Sequence, residues 1–171
     1  LLAVTRIEGG QVNLTRSIEL MDEVVSEALK HINRKSKEHT IRVTSGKDFI
    51  LAHIDAKLIV QVIINLVDNA IKYTPEHSRI ELFAAPEGKF VRICVTDDGP
   101  GIPEESRDKL FDMFYTLGKT RSDGRRGLGL GLALCRSIVA AHGGVIDVQN
   151  AAPHGACFRF TLPRTEVTLY E

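Results

Sequence analysis

Apolar residues recur at helical spacing in three long stretches of the chain. The stretches 18–36, 56–73 and 130–142 each place their apolar residues on one face of a helix. Asp55 precedes the second stretch, where an aspartate typically caps a helix, and Gly143 follows the third, where a glycine typically ends one. The pattern therefore predicts three amphipathic helices.

Shorter apolar or alternating runs between these helices predict strands. We expect one hairpin turned at 45–48 and another turned at 86–88, because both stretches carry glycine and polar residues. The predicted strands cover residues 11–15, 41–43, 49–54, 79–85, 89–97, 145–149 and 156–162. Because strands and helices come in blocks with few βαβ units, we expect an α/β two-layer sandwich, a mixed, mostly antiparallel sheet covered by three helices.

A long irregular stretch separates the fifth predicted strand from the last helix. Residues 98–130 are rich in glycine, proline and charge, with one short helix predicted over 104–114. A connection of this length is usually a functional lid or a binding loop. Phe111 and Phe114 lie at i, i+3 spacing in the short helix and are interpreted as core or anchor residues.

Composition and charge narrow the classes of partner. The chain has 171 residues, 43% of them hydrophobic, which suits one soluble domain with a substantial core. Its 22 Lys and Arg balance 22 Asp and Glu, so net charge does not favour nucleic acid or an anionic membrane as a partner. No apolar run approaches the roughly 20 residues of a membrane helix. Cys94, Cys135 and Cys157 fit neither a disulfide framework nor a zinc site, which favours a reducing cytoplasm.

The polar face of the second predicted helix is the first candidate site. Gln61, Asn65, Asn69 and Lys72 fall within about 80° of arc at about 100° per residue. Amide oxygens are suitable ligands for Mg²⁺, and an ammonium group neutralises phosphate. The pattern fits a site for a metal ion and phosphates, with an ordinary solvated helix face as the alternative.

Asp97, Gly99 and Gly101 form the second candidate site, directly after the apolar run 91–95. A carboxylate at the end of a strand, followed by glycines that let the backbone approach a ligand, favours a pocket. A plain turn is the alternative, because aspartate and glycine are common turn residues.

Gly127, Gly129 and Gly131 form the third candidate site, at the start of the helix predicted over 130–142. Backbone N–H groups and the positive end of the helix dipole make such a start a natural phosphate seat. The preceding residues 119–126 carry a net charge of +3, from Lys119, Arg121, Arg125 and Arg126 against Asp123. A basic, glycine-flanked loop suits a mobile lid, with a solvated loop as the alternative.

Taken together and in order, these motifs resemble the catalytic ATP-binding domain of sensor histidine kinases. The matching motifs are Asn65-X-X-X-Asn69-X-X-Lys72-Tyr73, Asp97-X-Gly99-X-Gly101, Phe111-X-X-Phe114 and Gly127-X-Gly129-X-Gly131. They correspond to the N, G1, F and G2 boxes of that family, and the resemblance extends over about residues 11–162. The amino-acid sequence of residues 129–144 is similar to that of the branch that includes the KdpD potassium-responsive kinases.

The resemblance implies a Bergerat-type sandwich that holds Mg-ATP between the second helix and a lid. By position, Asn69 is the implied Mg²⁺ ligand, with Asn65 beside it at the phosphates. Lys72 is expected to meet phosphate, and Tyr73 is expected to lie against the adenine or its ribose. The resemblance therefore assigns the phosphoryl chemistry to Asn65, Asn69 and Lys72.

For the base, the resemblance implies that Asp97 accepts a hydrogen bond from the exocyclic amine of adenine. Guanine presents a carbonyl oxygen there, so we expect rejection of GTP by a few kcal/mol. Gly99 and Gly101 are expected to let the backbone close on the base, with Ile102 beside them. The residues implied to bind nucleotide through the lid are Arg125, Gly127, Leu128, Gly129, Leu130 and Gly131.

One position separates a kinase from the related ATPases. ATPases of the gyrase, Hsp90 and MutL types resemble this fold but place a glutamate where this sequence has Asn65, and a neutral amide cannot act as a general base. A protein-histidine kinase is therefore favoured. The alternatives are an ATP-driven conformational switch of that ATPase type, and a degenerate nucleotide-binding module with a regulatory role.

The sequence is interpreted as part of a longer protein. Residues 1–10 are expected to end an upstream dimerisation helix and linker, 11–163 to form the catalytic domain, and 164–171 to be a C-terminal tail. All six histidines are interpreted as structural or surface residues: His31, His39, His53, His77, His142 and His154. The phosphoacceptor histidine is then expected upstream of Leu1.

The resemblance also implies partners and a location for the whole protein. We expect a response regulator to take the phosphoryl group onto an aspartate. We expect this fragment to be monomeric, the whole protein to be a homodimer, and the domain to be the cytoplasmic portion of a membrane-bound sensor kinase.

Overall fold

The computed structural model describes residues 13–32, 38–45, 49–112 and 131–166. In this part of the chain seven strands form one mixed sheet, accompanied by four helices. The strands are β1 (Ser17–Leu20), β2 (Thr40–Ser45), β3 (Leu51–Ile54), β4 (Arg79–Glu87), β5 (Phe90–Asp97), β6 (Ile146–Asn150) and β7 (Ala156–Thr165). The helices are α1 (Met21–Lys30), α2 (Ala56–Lys72), α3 (Glu104–Arg107) and α4 (Gly131–Ala141).

The sheet has the order β1-β3-β7-β5-β4-β2, and β6 also pairs with β7. Every pairing is antiparallel except that of β2 with β4, which is parallel. The two-layer α/β sandwich with a mixed, mostly antiparallel sheet is therefore confirmed.

Helix α2 lies at the centre of the helical layer, between α1 and α4. Its broad apolar stripe is buried, as predicted, through Leu58, Ile59, Val62, Ile63, Leu66, Val67, Ala70 and Ile71. The facing strand β5 alternates strictly, with Val91, Ile93 and Val95 buried beneath the helices. This shared core fixes the position of α2 over the sheet.

A closed polar network holds the first turn of α2. The Asp55 carboxylate accepts hydrogen bonds from the backbone N–H of Leu58 (3.4 Å) and of Thr15 (2.9 Å), which confirms Asp55 as the N-cap. The backbone N–H of Asp55 donates to His142 Nε2 (3.0 Å), and His142 Nδ1 donates to the carbonyl of Ile138 (2.8 Å). The end of α4 is thereby tied to the start of α2, and burial lowers the pKa of His142.

The hairpin predicted between the second and third strands is wrong. Strand β2 pairs in parallel with β4 at one edge of the sheet, whereas β3 lies between β1 and β7. Each of these strands buries apolar residues by pairing with strands distant in sequence. This pairing outweighs the local turn signal at 45–48. The hairpin of β4 and β5 is confirmed, closing at the pair Glu87 and Phe90.

Several element boundaries also differ from the predictions. The first strand lies at Ser17–Leu20, not at 11–15, because it pairs with β3, and α1 consequently begins at Met21. The short helix ends at Arg107, since residues 108–112 form turns. Strand β7 passes through Pro163 and ends at Thr165, because partners on both sides hold this last stretch.

None of the helices in the described part of the chain is long and apolar enough to cross a membrane.

Candidate functional site

The C-terminal end of α2 leads directly into an open cleft. The helix ends at Lys72 and Tyr73 caps it, donating its backbone N–H to the carbonyl of Asn69 (3.1 Å). The Thr74 hydroxyl donates to the carbonyl of Ala70 (2.6 Å). The cleft has a volume of about 620 Å³. It is lined by Lys72, Tyr73, Thr74, Pro75, Asp98, Gly99, Pro100 and His154.

A smaller cavity of about 30 Å³ adjoins the cleft, since Tyr73 and Pro100 line both. It brings the N-box residue Asn69 together with the G1-box residues Asp97 and Gly101. Its lining is Asn69, Ala70, Tyr73, Asp97, Pro100, Gly101, Ile102, Leu110, Ala156 and Phe158. Two motifs that are distant in sequence thus meet at one place.

Asp97 is the buried charged group of this site. The residue is 8% exposed, and its Oδ1 accepts hydrogen bonds from the backbone N–H of Gly99 (2.9 Å) and of Ala156 (3.2 Å). Burial raises the pKa of Asp97, and the two backbone hydrogen bonds act in the opposite direction. Among the described residues both donors to this carboxylate bind Oδ1, so Oδ2 is the oxygen that can accept a hydrogen bond from a ligand.

The two glycines after Asp97 are required by close contacts. A Cβ on Gly99 would lie 2.7 Å from Thr74 Cγ2. Gly101 has a φ of +83°, and a Cβ there would lie 2.9 Å from Asn150 Oδ1. The loop can therefore pass this close to α2 and β6 only without side chains at these positions.

Asn150 is a residue of the site that sequence reasoning missed. Its Oδ1 accepts from the backbone N–H of Ile102 (2.8 Å), and its Nδ2 donates to the carbonyl of Ile102 (3.1 Å). This pair of bonds fixes the loop that carries Gly101. A polar residue at the end of a strand gave no signal, because its partner lies 48 positions away in the sequence.

Two histidines support the cleft. Thr74 donates its only hydroxyl proton to Ala70, so His39 Nε2 donates to Thr74 Oγ1 (2.6 Å). His154 Nδ1 donates to the carbonyl of Gly99 (3.2 Å), and His154 lines the cleft. The interpretation of all histidines as structural or surface residues therefore missed the place of His154 at the site.

Other predicted site residues lie apart from the two cavities. Asn65 lines neither cavity, and its Oδ1 accepts from Gln61 Nε2 (3.0 Å). Gly131 begins α4, and a Cβ there would meet no described atom within 4 Å. The predictions for Arg125, Gly127, Leu128, Gly129 and Leu130 fall outside the described residues, as does Phe114.

Phe111 belongs to the core beside the small cavity. It is 5% exposed and meets Phe158 edge to face, with ring centroids 6.2 Å apart and an interplanar angle of 74°. Because Phe158 lines the small cavity, Phe111 anchors the chain next to the site.

The donor set limits how a metal could be held. Over the described ranges of the chain, no group of three or more His, Cys, Asp or Glu could hold a metal ion. Asn69 instead offers one amide oxygen at the small cavity. Such a set fits Mg²⁺, which typically takes one or two protein ligands and completes its shell with water and substrate phosphates.

Known proteins resemble this chain in sequence and in fold. Residues 54–166 match the family described as histidine kinase-, DNA gyrase B-, and HSP90-like ATPase. The chain is 44% identical to the sensor protein KdpD of Clostridium acetobutylicum over 96% of its own length, but spans only 18% of that protein.

Two solved structures share the fold. Full-length ShkA in complex with AMPPNP superposes with a TM-score of 0.81 at 25% identity, covering 98% of this chain and 35% of that one. Histidine kinase ThkA in complex with the response regulator protein TrrA gives 0.76 at 30% identity, covering 96% and 47%. Each of these proteins extends well beyond the part that matches.

Proposed function

Because the chain belongs to the family of histidine kinase-, DNA gyrase B- and HSP90-like ATPases, we propose that it is the ATP-binding catalytic domain of a sensor histidine kinase. The observation that carries this proposal is the meeting of Asn69 with Asp97 at one cavity, beside a cleft lined by Lys72. A metal-binding amide, a base-reading carboxylate and a phosphate-neutralising ammonium are the three groups that Mg-ATP requires. AMPPNP, bound by the related ShkA, is a nucleotide of the same class.

Asp97 selects the base in this proposal. Its Oδ2 accepts a hydrogen bond from the exocyclic amine of adenine, while Oδ1 stays bonded to Gly99 and Ala156. Guanine would place a carbonyl oxygen against the same carboxylate and leave it unpaired. Tyr73 lies at the junction of cleft and cavity and provides an apolar wall for the base or ribose.

Asn69 and Lys72 act on the phosphates in this proposal. When bound, Mg²⁺ supplies charge neutralisation at the phosphate oxygens, with the amide oxygen of Asn69 as its protein ligand. Lys72 is half-buried at the cleft, with Nζ 5.2 Å from the centroid of the Tyr73 ring. From there its ammonium group neutralises phosphate. Asn65 and the predicted lid residues remain part of the proposal through their position in the family motifs.

The neutral Asn65 favours a kinase over an ATPase. Its Oδ1 already accepts from Gln61, and an amide cannot take a proton from water. Phosphoryl transfer to a separate histidine needs mainly positioning and charge neutralisation from the donor domain. The names of the related proteins favour the same choice, because KdpD is a sensor protein and ThkA is a histidine kinase.

The proposal extends to the whole protein of which this domain is a part. The γ-phosphoryl group passes to a histidine on a dimerisation domain outside residues 1–171 and then to an aspartate on a response regulator. The complex of ThkA with TrrA supports the regulator as a partner. We place the domain in the cytoplasm, as the portion of a dimeric, membrane-bound sensor kinase that meets ATP.

Transfer in trans tests this proposal. The chain is mixed with the isolated dimerisation domain of the related sensor protein KdpD and with ATP labelled at the γ-phosphate, with and without Mg²⁺. We expect Mg²⁺-dependent label on a histidine of the acceptor, stable in base and lost in acid. Addition of a response regulator is expected to remove it.

The matched control replaces the chain with the catalytic domain of KdpD itself. If that control labels the acceptor and the present chain does not, the kinase proposal is wrong. Steady phosphate release by the chain alone, at a rate that the acceptor does not change, would favour the gyrase-type ATPase instead.

A further inference from the structure

Two cysteines lie side by side on the face of the sheet that the helices leave uncovered. In β5 and β7 the residues facing the helices are buried, whereas Cys94 and Cys157 alternate with them and are partly exposed. In the pairing of these strands Cys94 stands opposite Arg159, and Cys157 stands opposite Thr96. The two thiols are therefore diagonal neighbours on the same face of adjacent strands, close enough for each to perturb the ionisation of the other.

The two thiols of this pair differ in acidity. Interaction with Cys94 lowers the pKa of Cys157, helped by Thr96 and by the positive charge of Arg159 and opposed by burial. The same interaction, together with burial, raises the pKa of Cys94 above its usual range. Cys157 is therefore the thiol of the pair that ionises more readily.

We propose that Cys94 and Cys157 form a peroxide-sensitive dithiol site that closes into a disulfide between β5 and β7. Two partly exposed thiols on neighbouring strands, on the same surface of the sheet, are what such a reaction requires. Cytosolic disulfides that form in this way are usually transient and redox-sensing.

The reaction with hydrogen peroxide balances in two steps. The Cys157 thiolate attacks one peroxide oxygen, the O–O bond breaks, and hydroxide leaves as water after taking a proton, which gives a sulfenic acid at Cys157. The Cys94 sulfur then attacks the Cys157 sulfur, the S–S bond forms, the S–O bond breaks, and a second water leaves with the thiol proton. Two thiols and one peroxide become one disulfide and two waters.

The cysteine pair lies close to the proposed nucleotide site. The expected effect of oxidation on nucleotide binding therefore rests on the proposed function. Cys157 follows Ala156, whose N–H donates to Asp97 Oδ1, and Cys94 lies in the strand that ends at Asp97. Diagonal neighbours have Cα atoms about 7–8 Å apart, whereas a disulfide requires about 4.4–6.8 Å. Closing the bond must therefore shift β5 against β7 beneath Asp97, and we expect nucleotide affinity to fall.

The test uses the fully reduced chain treated with hydrogen peroxide at neutral pH and mapped by mass spectrometry without reduction. We expect a peptide linked through Cys94 and Cys157 and the loss of two of the three thiols. Cys94→Ser is expected to stop at a sulfenic acid on Cys157, trapped by dimedone. Cys157→Ser is expected to leave Cys94 reduced. Persistence of both thiols in the wild-type chain would overturn the proposal.

Cys135→Ala provides the matched control, because Cys135 is fully buried and its Sγ donates to the carbonyl of Val62 (3.8 Å). This variant is expected to form the same disulfide at the same rate. A linkage that includes Cys135 would contradict the assignment of the reactive pair.

Titration of the reduced and oxidised chains with ADP measures how the disulfide changes nucleotide affinity. We expect oxidation to weaken affinity about tenfold, the size of one hydrogen bond, and a dithiol reductant to restore it. Equal affinities of the two forms would refute the connection. Because the mass measurement needs no nucleotide, failure of the reduced chain to bind ADP would count against the proposed function alone.

Discussion

A buried aspartate lies near each end of α2, Asp55 as its N-cap and Asp97 at the end of β5, and the two differ in their partners. Asp55, at the first turn, is 3% exposed and accepts through both carboxylate oxygens, Oδ1 from Leu58 and Oδ2 from Thr15. Asp97, beyond the last turn, is 8% exposed and accepts from Gly99 and Ala156 through Oδ1. Burial alone therefore does not distinguish a structural carboxylate from a ligand-binding one.

What distinguishes them is the distribution of partners around each group. At the Asp55 end, both carboxylate oxygens and the backbone N–H have protein partners, and His142 completes the network. At the Asp97 end, both donors bind the same carboxylate oxygen, and glycines follow the aspartate where side chains would clash. Asp97 itself lines a cavity. We infer that the first end carries stability and the second end carries binding, and the predictions below test this division.

Asp97→Asn is expected to have the largest effect on binding. The new amide keeps an oxygen for Gly99 and Ala156 but turns an N–H toward the adenine amine, so two donors oppose each other. We expect ATP affinity to fall by about 100-fold or more. The free energy of unfolding at neutral pH should not fall, since burial of a charge is relieved. Calorimetric titration and denaturant unfolding measure the two quantities.

Asp55→Asn is the matched control for that experiment. It removes one of the two acceptors that hold Thr15 and Leu58, so it should lower the free energy of unfolding by about 1–2 kcal/mol. ATP affinity of the folded protein should remain unchanged. If both variants lose affinity equally, or both lose stability equally, the division between the two ends of α2 is wrong.

His142→Ala is expected to have the largest effect on stability. It leaves the backbone N–H of Asp55 buried without its acceptor and opens a void, which together cost about 2–4 kcal/mol. Thermal and urea unfolding measure the loss, and ATP affinity of the folded fraction should persist. His154→Ala serves as the control, because that side chain is exposed, and its substitution should change stability by less than about 0.5 kcal/mol.

The sequence predicted the binding end of α2 better than it predicted the surrounding sheet. Asn69, Lys72 and Asp97 stood out in the sequence because helical spacing and the end of a strand are local features, and the structure places these residues at two adjoining cavities. The predicted hairpin at 45–48 failed because β2 and β3 each pair with strands distant in sequence. Local turn residues carry no information about such partners.

The supporting residues of the site were hidden for the same reason. Asn150 acts through Ile102, and His39 acts through Thr74, across 48 and 35 positions of sequence. His142 looked like the last residue before a glycine stop, yet its ring reaches the start of α2. Tertiary hydrogen bonds between elements gave each of these residues its role, and composition and periodicity do not encode them.

Asn69→Ala tests the metal at the binding end. Loss of the amide oxygen should weaken Mg-ATP binding about tenfold, because one hard ligand is removed, while binding of ATP in the presence of a chelator should change little. Titrations with and without Mg²⁺ measure the difference. Gln61→Ala is the control on the same helix face, and it should leave the Mg²⁺-dependent part intact. An equal loss in both titrations would contradict the ligand role of Asn69.

Lowering the pH should change the contributions of the two ends of α2 to stability in opposite directions. These effects are expected to be the smallest of the series. The pKa of His142 is lowered below 6.5 by burial, so its contribution to stability is present above pH 6.5 and is lost as pH falls through the lowered value. The pKa of Asp97 is raised above 3.8, so protonation favours the folded state as pH falls, while it removes the acceptor for adenine.

Unfolding of the unliganded chain and adenosine-nucleotide titration, each from pH 7.5 to 4.5, measure both trends. His142→Ala should abolish the loss of stability that protonation of His142 causes. Asp97→Asn should abolish the gain of stability that protonation of Asp97 causes, and with it the part of the affinity loss that is due to Asp97. If Asp97→Asn retains the full acid dependence of affinity, titration of the nucleotide phosphates accounts for it and Asp97 does not.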